Sequence, residues 1–321
     1  MKVLVTGGAG FIGSHLCERL IDNKIDVLCL DNFITGNINN ISRLRESNCF
    51  SFIDKNLIDF ETNELFSDIY NLASPASPVA YKKYPLETIK TNIVGSFNML
   101  EIARKGKAKI FQASTSEVYG DPKEHPQKES YFGNVNTMGE RSCYNEGKRC
   151  AETIFYNYHV ENKIDIRIGR IFNTYGPRME INDGRVMSNF IIQALRNKPI
   201  TIYGEGKQTR SFCYIDDLID GILAFMDKGI VDTTTINFGN PIEIDIKSLA
   251  NKIINIIGSS SNVIYKPLPN DDPIRRKPDI DRANSLLGWY PKVDLESGLL
   301  KTIKHFEGIV SKASKLKEKS L

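Results

Sequence analysis

The feature that most constrains this 321-residue chain lies at its start. An apolar run, Val3-Leu4-Val5, passes through Thr6-Gly7-Gly8-Ala9-Gly10-Phe11-Ile12-Gly13 into Ser14-His15-Leu16-Cys17-Glu18-Arg19-Leu20, whose apolar positions recur at helical spacing. That pattern predicts a strand, a tight glycine turn and a helix. Small residues in such a turn let the backbone approach a pyrophosphate, and the free amides at the helix N-terminus hold its charge. A second apolar strand, Val27-Leu28-Cys29-Leu30, ends at Asp31, near the spacing at which a carboxylate takes the adenosine ribose hydroxyls. A carboxylate there would repel a 2′-phosphate, so the turn reads as binding NAD rather than NADP. Gly7, Gly10, Phe11, Ile12, Gly13 and Asp31 are the expected contacts.

Strand-like runs recur near residues 2–6, 26–30, 50–54, 68–73, 108–114 and 165–172, with helical patterns over 85–104 and 144–160. This alternation predicts an α/β fold built on a Rossmann doubly wound parallel sheet, covered on both faces. Beyond about residue 173 the pattern loosens into short strands, loops and helices. The expected organisation is an NAD-binding domain over 1–172 and a smaller C-terminal α/β substrate-binding domain over 173–308, with some interleaving of segments. The basic stretch over 309–321 reads as a frayed, solvated tail.

With 42 basic and 39 acidic residues, the chain gives no argument for a nucleic-acid or membrane partner, and small molecules are expected instead. No apolar run is long enough to span a bilayer and no signal-peptide pattern precedes the glycine turn, which points to a cytoplasmic protein. The cysteines at 17, 29, 49, 143, 150 and 213 have no paired spacing and do not cluster with the four histidines. Neither a metal site nor a disulfide is expected. Cys143, beside Tyr144, reads as a small filler residue.

The chemistry is carried by Tyr144-Asn145-Glu146-Gly147-Lys148, which places a phenol and an ammonium one helical turn apart. They join Ala113-Ser114-Thr115-Ser116-Glu117 at the end of a strand, where this architecture builds its sites. A phenol with a pKa of about 10 is a poor base at neutral pH, but a nearby ammonium and an oxidised nicotinamide both favour its phenolate. Tyr144 can then take a hydroxyl proton as hydride leaves for NAD, with Thr115 holding the same substrate oxygen.

Taken with Leu72-Ala73-Ser74-Pro75-Ala76-Ser77-Pro78, Thr115 to Pro122, Asn182-Asp183-Gly184-Arg185-Val186 and Arg276-Lys277-Pro278-Asp279-Ile280, the chain to about residue 308 resembles the extended short-chain dehydrogenase/reductases acting on nucleotide sugars. Within that family it is most similar to the branch that decarboxylates UDP-glucuronate to UDP-xylose. The 4,6-dehydratases carry an acidic Asp where Ser116 stands, which argues against dehydration. Epimerisation or dehydration of another UDP- or dTDP-hexose is the alternative.

The resemblance implies that Tyr144, Lys148, Thr115, Ser116, Glu117 and Arg276 are catalytic, the last three acting around the carboxylate and C5. It implies cofactor contacts at Asn32, Phe33, Thr35, Gly36, Asn56, Leu57, Leu72, Ala73 and Ser74, besides Tyr144, Lys148 and the glycine turn. Substrate contacts are expected from Tyr81, Lys90, Glu117, Asn173, Arg185, Val186, Tyr203, Arg210 and Arg276, and family members commonly pair as homodimers through two long helices from each subunit. Asn56 stands where the family usually has Asp, and its carbonyl is expected to accept from the adenine amino group.

Overall fold

The computed structural model describes residues 2–229, 235–267 and 275–318. In the first half, β1 (Lys2–Thr6), β2 (Asp26–Asp31), β3 (Phe50–Asp54), β4 (Asp68–Asn71), β5 (Lys109–Thr115) and β6 (Ile166–Ile171) alternate with α1 (Phe11–Asp22), α2 (Pro78–Lys83), α3 (Pro85–Gly106) and α4 (Ser142–Asn162). The second half adds β7 (Thr174–Tyr175), β8 (Ile200–Tyr203), β9 (Thr209–Ser211), β10 (Cys213–Tyr214), β11 (Thr235–Phe238), β12 (Glu243–Asp245), β13 (Val263–Lys266) and β14 (Arg275–Arg276). Its helices are α5 (Val186–Leu195), α6 (Ile215–Asp227), α7 (Ile246–Ile257), α8 (Asp281–Leu287) and α9 (Leu295–Glu318).

Side chains alternate across a strand, and β1 uses both sides for burial. Val3 and Val5 enter one core while Leu4 enters the other. The first core is continuous with the second half of the chain through Tyr175, Ile191, Phe238, Leu249 and Phe306. The second is closed by α3 and α4 through Met99, Leu100 and Phe155. Seven parallel strands lie in the order β11-β6-β5-β4-β1-β2-β3. The direction of strand succession reverses between β1 and β4, so the crevice of this Rossmann sheet opens at their C-terminal ends.

Two features show how the second half joins the first. Strand β11 pairs in parallel with β6 and becomes the edge of the main sheet, so the chain returns to the first layer well after residue 173. Its Ile236, Asn237 and Phe238 are all fully buried there, so both faces of this edge strand are covered. Helix α9 continues to Glu318, through most of the stretch expected to be frayed, while residues 319–321 lie outside the described residues. Its apolar stripe of Leu299, Ile303 and Phe306 is anchored in the first core, and an anchored helix propagates cheaply. No helix among the described residues is long and apolar enough to cross a membrane.

The junction between α6 and the segment leading into α9 is fixed by one buried carboxylate. Asp217 accepts the backbone N–H groups of Lys292 and Val293, each at 3.0 Å, while its carbonyl takes the Trp289 indole N–H at 2.8 Å. Asp217→Asn keeps the shape but leaves one of the two amides facing an NH2 group. A buried donor left unpaired costs about 1–3 kcal/mol. The denaturant midpoint is expected to fall accordingly with an unchanged slope, and a midpoint equal to wild type would show that the amides find another acceptor.

Candidate active site

The glycine turn is built by close backbone approach. Gly7 has φ +69°, and a Cβ there would lie 2.8 Å from the Ala73 Cα at the end of β4. A Cβ on Gly13 would fall 2.2 Å from the Gly7 carbonyl oxygen, so only glycine lets the first turn of α1 sit directly on the loop. Gly10 caps that helix without a side-chain hydrogen bond, leaving first-turn amides toward the crevice. At the end of β2, Asp31 accepts from the Ala9 and Phe33 amides, each at 2.9 Å. Burial pushes its carboxyl up, and those amides oppose the shift.

From this turn a cavity of about 730 Å3 runs along the C-terminal ends of β1, β4 and β5 to Tyr203 and Arg210 in the second half of the chain. Gly7, Gly10, Phe11, Ile12, Gly13, Asp31, Asn32, Thr35, Leu57, Leu72, Ala73 and Ser74 line one end. Thr115, Ser116, Glu117, Tyr144 and Lys148 stand at the middle, and Tyr81, Asn173, Arg185, Val186, Tyr203, Arg210 and Arg276 line the remainder. The residues fit a dinucleotide on a feature of their own. Besides the ribose-ready carboxylate, Arg178 lines the cavity with its Nη1 buried and without a partner among the described residues, and its other terminal nitrogen is tied to Glu18 on α1. A buried guanidinium N–H beside that helix suits an anion.

Four expected contacts do not line the cavity. Phe33 takes a left-handed φ of 56° and turns its ring onto Phe52. Gly36 lies behind Asp31, where a Cβ would come within 2.7 Å of the carboxylate, so its role is to leave that carboxylate room. The Asn56 side chain accepts the Ile58 N–H at 3.1 Å and caps the short turn Leu57–Asp59, so its carbonyl serves the protein's own backbone. Lys90 is exposed on α3, whose inward face carries Thr88, Thr91 and Asn92. Asp271, Asp272 and Pro273, which precede Arg276 in the sequence, lie outside the described residues.

In the catalytic cluster, the Thr115 hydroxyl bonds the Tyr144 phenol, and Tyr81 stacks on the Tyr144 ring with centroids 5.3 Å apart and planes 10° from parallel. Burial pushes the phenol up to about 12, with the Thr115 bond pulling the other way. The same burial lowers Lys148 to about 7, opposed by the carboxylate of Glu152 one turn on. Lys148 Nζ donates to the Ala113 carbonyl at 2.7 Å and lies 5.9 Å from the Tyr144 ring centroid. Glu117 pairs with Arg276, whose Nη2 also donates to the Gly120 carbonyl at 2.9 Å. Burial pushes Glu117 up, but Arg276 and Arg141 outweigh it and its carboxyl stays below the usual range.

Arg141, with Nη1 3.8 Å from Glu117 Oε2, lines the cavity and was not expected from the sequence. Its position three residues before Tyr144, one turn along the same face, is the signal that could have found it. Thr91 and Arg178 also line the cavity unforeseen. Cys143 is buried with its thiol toward the Tyr81 carbonyl, and burial raises its pKa, as suits a filler. No cluster that could hold a metal occurs among the described residues.

The model of the NAD dependent epimerase/dehydratase family matches residues 3–239. UDP-glucuronic acid decarboxylase 1 of Arabidopsis thaliana is 49% identical over 306 residues, covering 95% of this chain and 70% of that protein. UDP-glucuronic acid decarboxylase 1 of Xenopus tropicalis is 47% identical over 305 residues, covering 95% and 72%. Among solved structures, UDP-glucuronic acid 4-epimerase from Bacillus cereus, in complex with UDP-glucuronic acid and NAD, superposes with a TM-score of 0.88 at 31% identity, covering 96% of this chain and 100% of that one.

The depressed lysine makes stability depend on pH. Below about pH 7 Lys148 is charged in both folded and unfolded states, and folding bears the full cost of burying it. Between about 7 and its ordinary 10.5 the unfolded chain holds a proton that the folded one has lost, so this group's contribution to stability rises with pH. Lys148→Met is therefore expected to stabilise the cofactor-free protein at pH 6, on the order of a few kcal/mol, and to flatten the rise. Denaturant midpoints across the pH range check this, and identical pH profiles for the two proteins would contradict it.

Proposed function

The chain belongs to the NAD-dependent epimerase/dehydratase family, and from that premise we propose that it decarboxylates UDP-glucuronate to UDP-xylose. The observation that carries the reading is a carboxylate-binding guanidinium, Arg276, in the same cavity as the Thr115, Tyr144 and Lys148 cluster. Bound NAD supplies the acceptor, and afterwards the donor, of hydride at the sugar C4. The first turn of α1, Asp31 and the Leu72–Ser74 segment hold it, with Tyr144 and Lys148 at its reactive end.

The protein's own groups handle protons and carboxylate. Tyr144 takes the proton of the C4 hydroxyl while Thr115 fixes that oxygen, and Lys148, 5.9 Å from the phenol ring, favours the phenolate whenever it holds its own proton. With C4 a ketone, the C6 carboxylate belongs to a β-keto acid. Its bond to C5 breaks with the electron pair delocalising into the ketone, carbon dioxide leaves, and C5 takes up a proton. Arg276 orients the departing carboxylate, with Ser116 and Glu117 beside it. Asn173, Arg185, Tyr203 and Arg210 hold the UDP portion.

The reading extends to assembly and location. The pair α3 and α4 exposes Leu86, Val94, Phe97, Tyr156 and Val160, an apolar face that a second copy of the chain would cover in a homodimer. A cytoplasmic location is supported by six free thiols, the state a reducing compartment maintains.

Purified protein incubated with UDP-glucuronate and catalytic NAD should release carbon dioxide and accumulate a UDP-pentose, followed by mass spectrometry. Tyr144→Phe should reduce turnover at least a hundredfold. An unchanged substrate mass with inverted C4 would establish an epimerase instead. For the dimer, Phe97→Glu combined with Tyr156→Glu should shift the sedimentation coefficient to that of a monomer, and an unchanged coefficient would place any interface elsewhere.

A further inference from the structure

Arg276 sits on a strand of only two residues, β14, outside the main sheet. One side of that strand pairs with β9, with Arg276 opposite Arg210. What holds the other side is a fully buried glutamine. Gln127 donates its backbone N–H to the Lys277 carbonyl at 2.9 Å, accepts the Lys277 N–H on Oε1 at 2.9 Å, and accepts the Asp279 N–H on its carbonyl at 2.9 Å.

Asn237, also fully buried, locks this arrangement. Its Nδ2 donates to both the Gln127 carbonyl at 3.0 Å and the Asp279 carbonyl at 3.1 Å. Its Oδ1 accepts the Tyr119 hydroxyl at 2.7 Å. Tyr119 closes the short turn Ser116–Tyr119 that carries Glu117. One amide therefore ties together the two backbone segments that bear Glu117 and Arg276. Neither Gln127 nor Asn237 lines the cavity.

We propose that Gln127 and Asn237 are positioning residues for Arg276, fixing the register of the Arg276 segment against the Glu117 turn so that the guanidinium meets the substrate carboxylate. This rests on the decarboxylase reading for its catalytic consequence. A buried amide side chain that is hydrogen-bonded through both its nitrogen and its oxygen, as those of Gln127 and Asn237 are, specifies one geometry, and removing one member releases the segment rather than the whole fold. A guanidinium displaced by an ångström loses much of its orienting effect on a reacting group.

The test is a double-mutant cycle on carbon dioxide release. Gln127→Met should lower kcat ten- to a hundredfold while the Kd values for NAD and for UDP stay within threefold of wild type. Combined with Arg276→Ala, which removes the group it positions, it should cost less than a further twofold. Tyr119→Phe deletes the hydroxyl that Asn237 receives, together with its contact to Arg170 Nη1 at 3.0 Å; it should give a smaller loss with the same non-additivity and keeps the test open if Gln127→Met does not fold.

Multiplicative effects with Arg276→Ala, NAD and UDP affinities falling in step with kcat, or wild-type kcat in the variants would each overturn the proposal. If the wild-type protein releases no carbon dioxide, the decarboxylase reading has failed separately. Positioning is then read from binding: Gln127→Met should lose the same preference for UDP-glucuronate over UDP-glucose that Arg276→Ala loses, and a retained preference would sink it.

Discussion

The arrangement of the site depends on one partly buried ion pair. Arg170 on β6 meets Glu152 on α4 through Nε at 2.9 Å and Nη2 at 2.7 Å, and Ser114 at the end of β5 donates its hydroxyl to the same carboxylate. Helix α4 is thereby fixed in register on two strands, four residues beyond Lys148 and one residue from Thr115. Such a pair is weak evidence for stability, because desolvating two charges offsets their attraction. Its value here is positional, since Tyr144 and Lys148 approach Thr115 and the Ala113 carbonyl only if α4 neither slides nor rotates.

Burial around this pair has a second consequence. The low-dielectric surroundings that raise Tyr144 to about 12 are those that bring Lys148 down to about 7. Both shifts favour the neutral forms. The protein alone therefore holds its phenol protonated at neutral pH, poised for a charge to be added beside it rather than already ionised. Glu152 links this electrostatic setting to the mechanical one, because the carboxylate that registers the helix also restrains the fall of the Lys148 pKa.

The first half of the fold was legible because each signal was local. The glycine turn follows from steric necessity at Gly7 and Gly13, and the strands from apolar runs whose ends fall within two residues of those in the structure. What escaped was set by facing and by long-range pairing. Lys90 and Thr91 are adjacent in sequence, yet 100° of helical rotation puts only Thr91 in the cavity. Asn56 has the chemistry to accept from an adenine, but a local turn claims its carbonyl, as short amide side chains often do. Strand β11 is four residues long, and nothing in four residues announces that it will pair with β6.

The state of Arg276 argues for an acidic sugar over a neutral one. One terminal nitrogen meets Glu117 and the other the Gly120 carbonyl, while Nε is buried with no partner among the described residues. Glu117 thus leaves one of the guanidinium's donors unused, and a buried N–H left unpaired costs free energy until an acceptor arrives. A sugar hydroxyl could serve as that acceptor, but a carboxylate also supplies the charge that a desolvated guanidinium attracts. Sharing matters for turnover as well. An arginine devoted entirely to the substrate carboxylate would stabilise the ground state from which carbon dioxide must leave, whereas one already engaged by Glu117 orients that carboxylate with a weaker hold.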